Sequence, residues 1–175
     1  MFDGSNDWLV IDDHDDLDLG TGSDKQFTVV TVFAADSMSR TGPIISKSAG
    51  DSAVTDYIVA ARDDQLRWGT GPSADAGAWM IIDPPELNKA HILTLTLDQT
   101  GTTSGTKQFF LNGVSQVDPE DYPYTNKASV NSHDIYIGEY GLNRGYFYKG
   151  KINEIMIFDK QLSDNDRERL NFYLS

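Results

Sequence analysis

At 175 residues the chain has the length of one ordinary domain and can bury a core without disulfide or metal staples. Acidic residues outnumber basic ones 27 to 14, for a net charge of −13; such a surface repels phosphate backbones and excludes nucleic acid as a partner. The absence of cysteine excludes disulfides, thiolate metal sites and a thiol nucleophile, and no stretch approaches the roughly 20 apolar residues that would insert in a membrane as a helix.

The opening Met1-Phe2-Asp3-Gly4 has neither a charged n-region nor an apolar h-region, so no signal peptide is visible. We therefore expect residues 1–175 to be a single domain of a larger extracellular, cell-surface or virion-associated protein. Short apolar runs then recur between clusters of Gly, Pro, Asp, Asn and Ser, and almost none has a helical period. The expected strands are Trp8–Ile11, Gln26–Ala34, Pro43–Lys47, Thr55–Ala61, Gln65–Trp68, Trp79–Ile82, His91–Leu97, Lys107–Leu111, Asp134–Gly138 and Lys151–Phe158.

Gln26–Ala34 is apolar on both faces and should lie centrally, covered on both sides. Asp63-Asp64 is expected to turn the chain between its neighbouring strands. In His91–Leu97, Leu93, Leu95 and Leu97 alternate with Thr94 and Thr96, the period of a strand lying on a core. Asn112-Gly113 is the strongest hairpin signal, because both residues tolerate the positive φ of a type I′ turn. Only the tail reads as a helix, with Ser163 capping it, Asp166 three residues on, and Leu170, Tyr173 and Leu174 as its apolar stripe. Many short strands and one trailing helix predict an all-β fold, a two-sheet antiparallel sandwich of jelly-roll type.

Phe2-Asp3-Gly4-Ser5-Asn6-Asp7-Trp8, Ile44-Ile45-Ser46-Lys47, His91-Ile92-Leu93-Thr94-Leu95-Thr96-Leu97-Asp98, Phe110-Leu111-Asn112-Gly113 and the closing Tyr148-Lys149-Gly150-Lys151-Ile152-Asn153-Glu154-Ile155 follow one another in a recognisable order. In that order and spacing the chain resembles the laminin-G-like jelly-roll domains of the concanavalin A-like lectin and glucanase superfamily. The resemblance runs from end to end and implies a concanavalin A-like sandwich. It makes His91 a structural histidine and Tyr148 a core aromatic. Two positions depart from the family pattern: Ala90 stands where Trp is usual, and Asn153 where Asp is usual.

Glucanases of that superfamily carry paired carboxylates on alternate residues of one strand, the spacing that retaining chemistry needs. This chain has no such run, because Glu139 and Glu154 each lack an acidic partner two or four residues away. His14, His91 and His133 have no Ser or Cys triad partner nearby. No catalytic residues are expected. The resemblance implies a structural Ca²⁺ held by Asp3 and Asn153, with Asp7 or Glu154 assisting. The alternative is that Asp3 caps a turn and Asn153 bonds backbone. The run Asp12-Asp13-His14-Asp15-Asp16-Leu17-Asp18 lacks the Gly and Glu of an EF-hand loop and reads as a solvated acidic loop.

Sugar recognition needs aromatic faces for pyranose C–H groups and planar polar groups for hydroxyls. Two segments have that texture: Tyr122 and Tyr124 in a Pro-stiffened loop, and Tyr140, Asn143, Arg144 and Tyr146 in a second. Trp68 and Trp79 are expected to line a concave face between them. The function expected is a non-catalytic carbohydrate-binding, lectin-like or adhesive module for a polysaccharide or surface glycan. A structural accessory or host-recognition domain acting through protein contacts is the alternative; a long hydrophobic strip at a sheet edge would favour it. A third reading, a diverged glycoside hydrolase or polysaccharide lyase, needs two carboxylates or a Tyr/His pair in one groove.

Overall fold

The computed structural model describes residues 1–18, 26–39, 42–48, 55–70, 79–98, 106–116, 132–141 and 145–175. In chain order the strands are β1 (Phe2–Asp3), β2 (Leu9–Ile11), β3 (Gln26–Ala35), β4 (Pro43–Ser48), β5 (Thr55–Arg62), β6 (Gln65–Gly69), β7 (Trp79–Ile82), β8 (His91–Asp98), β9 (Thr106–Leu111), β10 (Val114–Gln116), β11 (Ile135–Ile137) and β12 (Lys149–Phe158). A 3-10 turn at Asp15–Leu17 follows β2, and helix α1 (Asp164–Leu174) ends the chain. All ten expected strands form, and β1 and β10 are added to them.

Two six-stranded antiparallel sheets result, in the orders β1-β12-β3-β8-β9-β10 and β2-β11-β4-β5-β6-β7. Their inner faces make one core. Phe27, Val29 and Phe33 of β3 and Leu93, Leu95 and Leu97 of β8 face Tyr57, Val59, Leu66, Trp68 and Met80 of the other sheet. Each fully buried side chain of this size contributes about 1.5–3 kcal/mol relative to exposure. The central position of β3 follows from its sequence: Val30 and Val32, on its other face, pack with Ile92, Met156, Phe158, Leu170 and Leu174 beneath α1.

The turns agree with the residues that make them. Asn112 and Gly113 have φ of 52° and 79°, and Asp63 and Asp64 have 53° and 57°, so both hairpins turn through left-handed backbone. Ser163 caps α1 by accepting the Asp166 amide at 3.2 Å. The expected stripe needs one correction: Leu170 and Leu174 pack on the sheet, whereas Tyr173 is 79% exposed. His91 is buried and structural. Its ring bonds the Glu86 carbonyl at 2.9 Å and the Asn112 side chain at 3.1 Å. Ala90 is exposed, so the usual tryptophan is not missed from the core there.

Candidate functional site: an aromatic end of the sandwich

The segment Tyr146–Tyr148 passes close against Gly42, the residue that precedes β4. A Cβ at Gly42 would sit 2.4–2.5 Å from the Tyr146 carbonyl oxygen, Phe147 C and Tyr148 N, so only glycine admits this approach. The Tyr148 amide donates to the Gly138 carbonyl at 2.8 Å, and Glu139 bridges Phe147. Tyr148 is buried edge-on to Phe2. Burial, and then the charge of Asp36, push its hydroxyl well above the usual tyrosine range.

Two aromatic pairs are fixed by this segment. Tyr146 meets the edge of Tyr140, ring centroids 5.7 Å apart, and Phe147 lies at 6.1 Å and 30° to Trp8. Tyr140 is anchored beside Arg62. Burial lowers the Arg62 guanidinium, but Tyr140 and Asp63 more than offset this and hold it above its ordinary value. Trp8 remains 43% exposed and Tyr146 42%. Beside Trp8, Asp7 Oδ2 accepts the Asp3 amide at 2.9 Å and Asp3 Oδ1 accepts the Ser5 amide at 2.7 Å, leaving Asn6 exposed. A rigid indole face flanked by amide and carboxylate groups can stack on apolar C–H surfaces and bond hydroxyls.

The residues singled out from sequence fare unequally. Tyr146 is exposed at this end. Tyr140 is not a contact surface, because it is buried beneath Tyr146. Trp68 is likewise corrected: its side chain points into the core, edge-on to Phe27 and 5.3 Å from the Lys107 ammonium, with no exposure. Trp79 opens β7 opposite Gly69, and its side chain lies outside the description. Tyr122, Tyr124, Asn143 and Arg144 lie outside the described residues. Trp8 was missed. It reads as the start of a strand, and the only signal for its exposure is its place before the short, edge-forming Leu9–Ile11.

The calcium set does not fit as one shell. Asp3 pairs with Lys149, so Asn153 lies four residues farther along β12, roughly 13 Å away. Asp3 and Asp7 spend oxygens on their own turn, whereas Asn153 and Glu154 project exposed from a β-bulge. Calcium takes six to eight oxygens, and among the described residues no three His, Asp or Glu converge to hold a metal.

The Asp12–Asp18 loop departs from the solvated reading. The Lys47 side chain has no exposure, and its Nζ meets Asp13 Oδ1 at 2.5 Å, the His133 carbonyl at 2.9 Å and Asp18 Oδ1 at 3.1 Å. Burial lowers the Lys47 pKa, but the hydrogen bonds and charges of Asp13 and Asp18 more than offset this and raise it.

The family model described as "Concanavalin A-like lectin/glucanases superfamily" matches residues 3–166. The chain belongs to this superfamily. No curated protein matches it in sequence. Among solved structures, the domain is similar to the binding domain of botulinum neurotoxin serotype D (TM-score 0.66, 16% identity), matching 99% of this chain and 41% of that one. It is also similar to Trypanosoma rangeli sialidase bound to 2,3-difluorosialic acid (TM-score 0.60, 14% identity), covering 85% of this chain and 23% of the sialidase. A heptameric SAP-like pentraxin from Limulus polyphemus matches at TM-score 0.58 and 15% identity, over 83% of this chain and 69% of that one. At these identities the likeness is one of fold. The chain spans less than half of the toxin domain and about a quarter of the sialidase.

One more feature of this laminin G-like domain adjoins the aromatic end. Between the edges β1/β12 and β2/β11 lies an apolar cleft of about 410 Å³, lined by Phe2, Leu9, Ile11, Ile152, Ile155 and Ile157, with Asn153 and Glu154 beside them. Leu9, Val10 and Ile11 are all exposed along the edge strand β2. Among the described residues no strand pairs with the outer side of β2, and an unpaired apolar edge is a pairing surface.

Proposed function

We propose that this laminin G-like domain is a non-catalytic glycan-binding module, serving a larger extracellular, cell-surface or virion-associated protein. The observation that carries the reading is the exposed Trp8 indole, backed by Phe147 and flanked by Asn6 and Asp7, with exposed Tyr146 on the same segment as Phe147. Tyr122, Tyr124, Asn143 and Arg144 are proposed as further contacts. Calcium, where it binds, would organise loops rather than touch the ligand. The two glutamates considered from sequence have unlike settings, which supports the non-catalytic reading: Glu139 is buried where its backbone bridges Phe147, and Glu154 is exposed on β12. The test is a glycan and polysaccharide array in Ca²⁺ and again in EDTA. Trp8→Ala should weaken the best ligand roughly tenfold, equivalent to about 1.4 kcal/mol. A blank array from folded protein would sink the reading.

A second reading, assembly through protein contacts, is favoured by the exposed apolar edge Leu9–Ile11 and its cleft. It predicts concentration-dependent association by sedimentation, abolished by Leu9→Lys. A domain that stays monomeric at all concentrations and binds no partner through this edge would remove it.

A further inference from the structure

Helix α1 and the β9–β10 hairpin enclose a cavity of about 320 Å³, lined by Thr94, Phe110, Val114, Arg167, Asn171 and Phe172 among others. That is at the lower end of the roughly 300–1,000 Å³ of small-ligand sites. The Arg167 guanidinium lies 3.7 Å from the centroid of the Phe110 ring, and the Arg167 side chain is 12% exposed. One guanidinium nitrogen, Nη2, is engaged by Asp164. Arg167 Nε and Asn171 Oδ1 are buried and have no hydrogen-bond partner among the described residues. The two residues line the cavity, one turn apart on the helix.

A buried polar group without a partner costs about 1–3 kcal/mol, so a donor and an acceptor left open together are an anomaly that needs a cause. Asn112, although it also lines the cavity, is already spent: its Oδ1 accepts the Ile92 amide at 2.9 Å and its Nδ2 meets His91. The open pair is therefore one N–H that needs an acceptor and one carbonyl that needs a donor.

We infer that this cavity is a second ligand site, independent of the Trp8 surface, and that its ligand is a neutral polyhydroxylated ring. A hydroxyl both accepts and donates, so one hydroxyl, or two on adjacent carbons, completes Arg167 Nε–H and Asn171 Oδ1 together. A carboxylate satisfies the arginine but confronts Asn171 Oδ1 with a second acceptor, and it meets Asp164 and exposed Glu168 nearby. Val114 and Phe172, exposed at the rim, supply apolar contact for the C–H face of such a ring.

The probes are methyl β-glucopyranoside, methyl β-galactopyranoside and glucuronate, titrated into ¹⁵N-labelled full chain by NMR. Both methyl glycosides should shift the Arg167 Nε–H, the Asn171 side-chain amide and the Gly113 amide, with glucuronate the weakest of the three. Asn171→Leu and Arg167→Lys should each weaken the shifts roughly tenfold, the loss expected when one partner of a ligand hydroxyl is removed. Arg167→Lys keeps the positive charge, so it remains informative should Asn171→Leu unfold. Trp8→Ala should leave this titration unchanged whether or not it abolishes glycan-array binding, which separates this site from the first. Unmoved resonances up to the solubility limit, meaning a cavity that holds water alone, would overturn the inference. So would tighter binding of glucuronate, or titrations that neither variant alters.

Discussion

Asp3 and Asp7 belong to a turn that closes on itself, whereas Asp13 and Asp18, a few residues on, converge on a buried ammonium. Both stretches announce themselves in sequence as acidic. In the first, each carboxylate accepts a backbone amide of its own turn, and Lys149, which stands opposite Asp3 on β12, is exposed and makes no ion pair with either of them among the described residues. In the second, Lys47 enters from β4 with a fully buried side chain and receives two carboxylates and a carbonyl. The Asp13 amide is held in turn by Asp134 at 2.9 Å. The difference lies not in the carboxylates but in what the facing strand brings to them. An acidic run beside a buried lysine is a clasp, and one beside an exposed lysine is a turn.

The largest test of that contrast is Lys47→Met. Removing one partner of a buried ion cluster leaves uncompensated charge and costs about 3–5 kcal/mol. Asp13 is 30% exposed and can regain water, so the lower end of that range is expected. Urea denaturation measures it. Adding Asp13→Asn and Asp18→Asn to Lys47→Met should recover much of the loss, because no stranded charge remains. A loss below about 1 kcal/mol for the single variant would reduce the clasp to an ordinary surface pair.

The alkaline limb gives the next effect. Lys47 has a folded pKa raised above 10.5. Its contribution is therefore complete below the unfolded value and is lost as pH rises through the folded one. Tyr148 and Tyr136 are also raised, chiefly by burial, and lose stability in the same direction. The difference between wild type and Lys47→Met, rather than either curve alone, reads the clasp. That difference should hold steady to about pH 10 and shrink above it. A gap that widens there would contradict the assignment.

The contrast also marks what could be read in advance. Period-two patterns and positive-φ turn residues made the strands, Asn112-Gly113 and Asp63-Asp64 legible, because those signals are local. The same rule places Trp68 in the core: Leu66 and Trp68 share a face, alternating with Gln65 and Arg67. Reading Trp68 as a ligand contact set aside its own strand's alternation. The Lys47 clasp was illegible for a different reason, since its partners lie 29 and 34 positions earlier in the chain and meet it only through tertiary pairing. Arg167 and Asn171 fall between. Their one-turn spacing on α1 is visible in sequence, but the two open atoms appear only once Phe110 and the β9–β10 hairpin are in place.

The smallest effects belong to the self-closed turn. Asp7→Ala removes one acceptor for the Asp3 amide and should cost about 1 kcal/mol, the net worth of one such bond. Thermal unfolding with excess Ca²⁺ and with EDTA then sharpens the comparison. If Asp3, Asp7, Asn153 and Glu154 do not share an ion, any shift on chelation is the same in wild type and in Asp7→Ala, whatever its size. A calcium-dependent shift that disappears with Asp7→Ala would mean the turn opens and its carboxylates reach a common cation. The first acidic stretch would then be a clasp as well, closed by an external ion where the second is closed by Lys47.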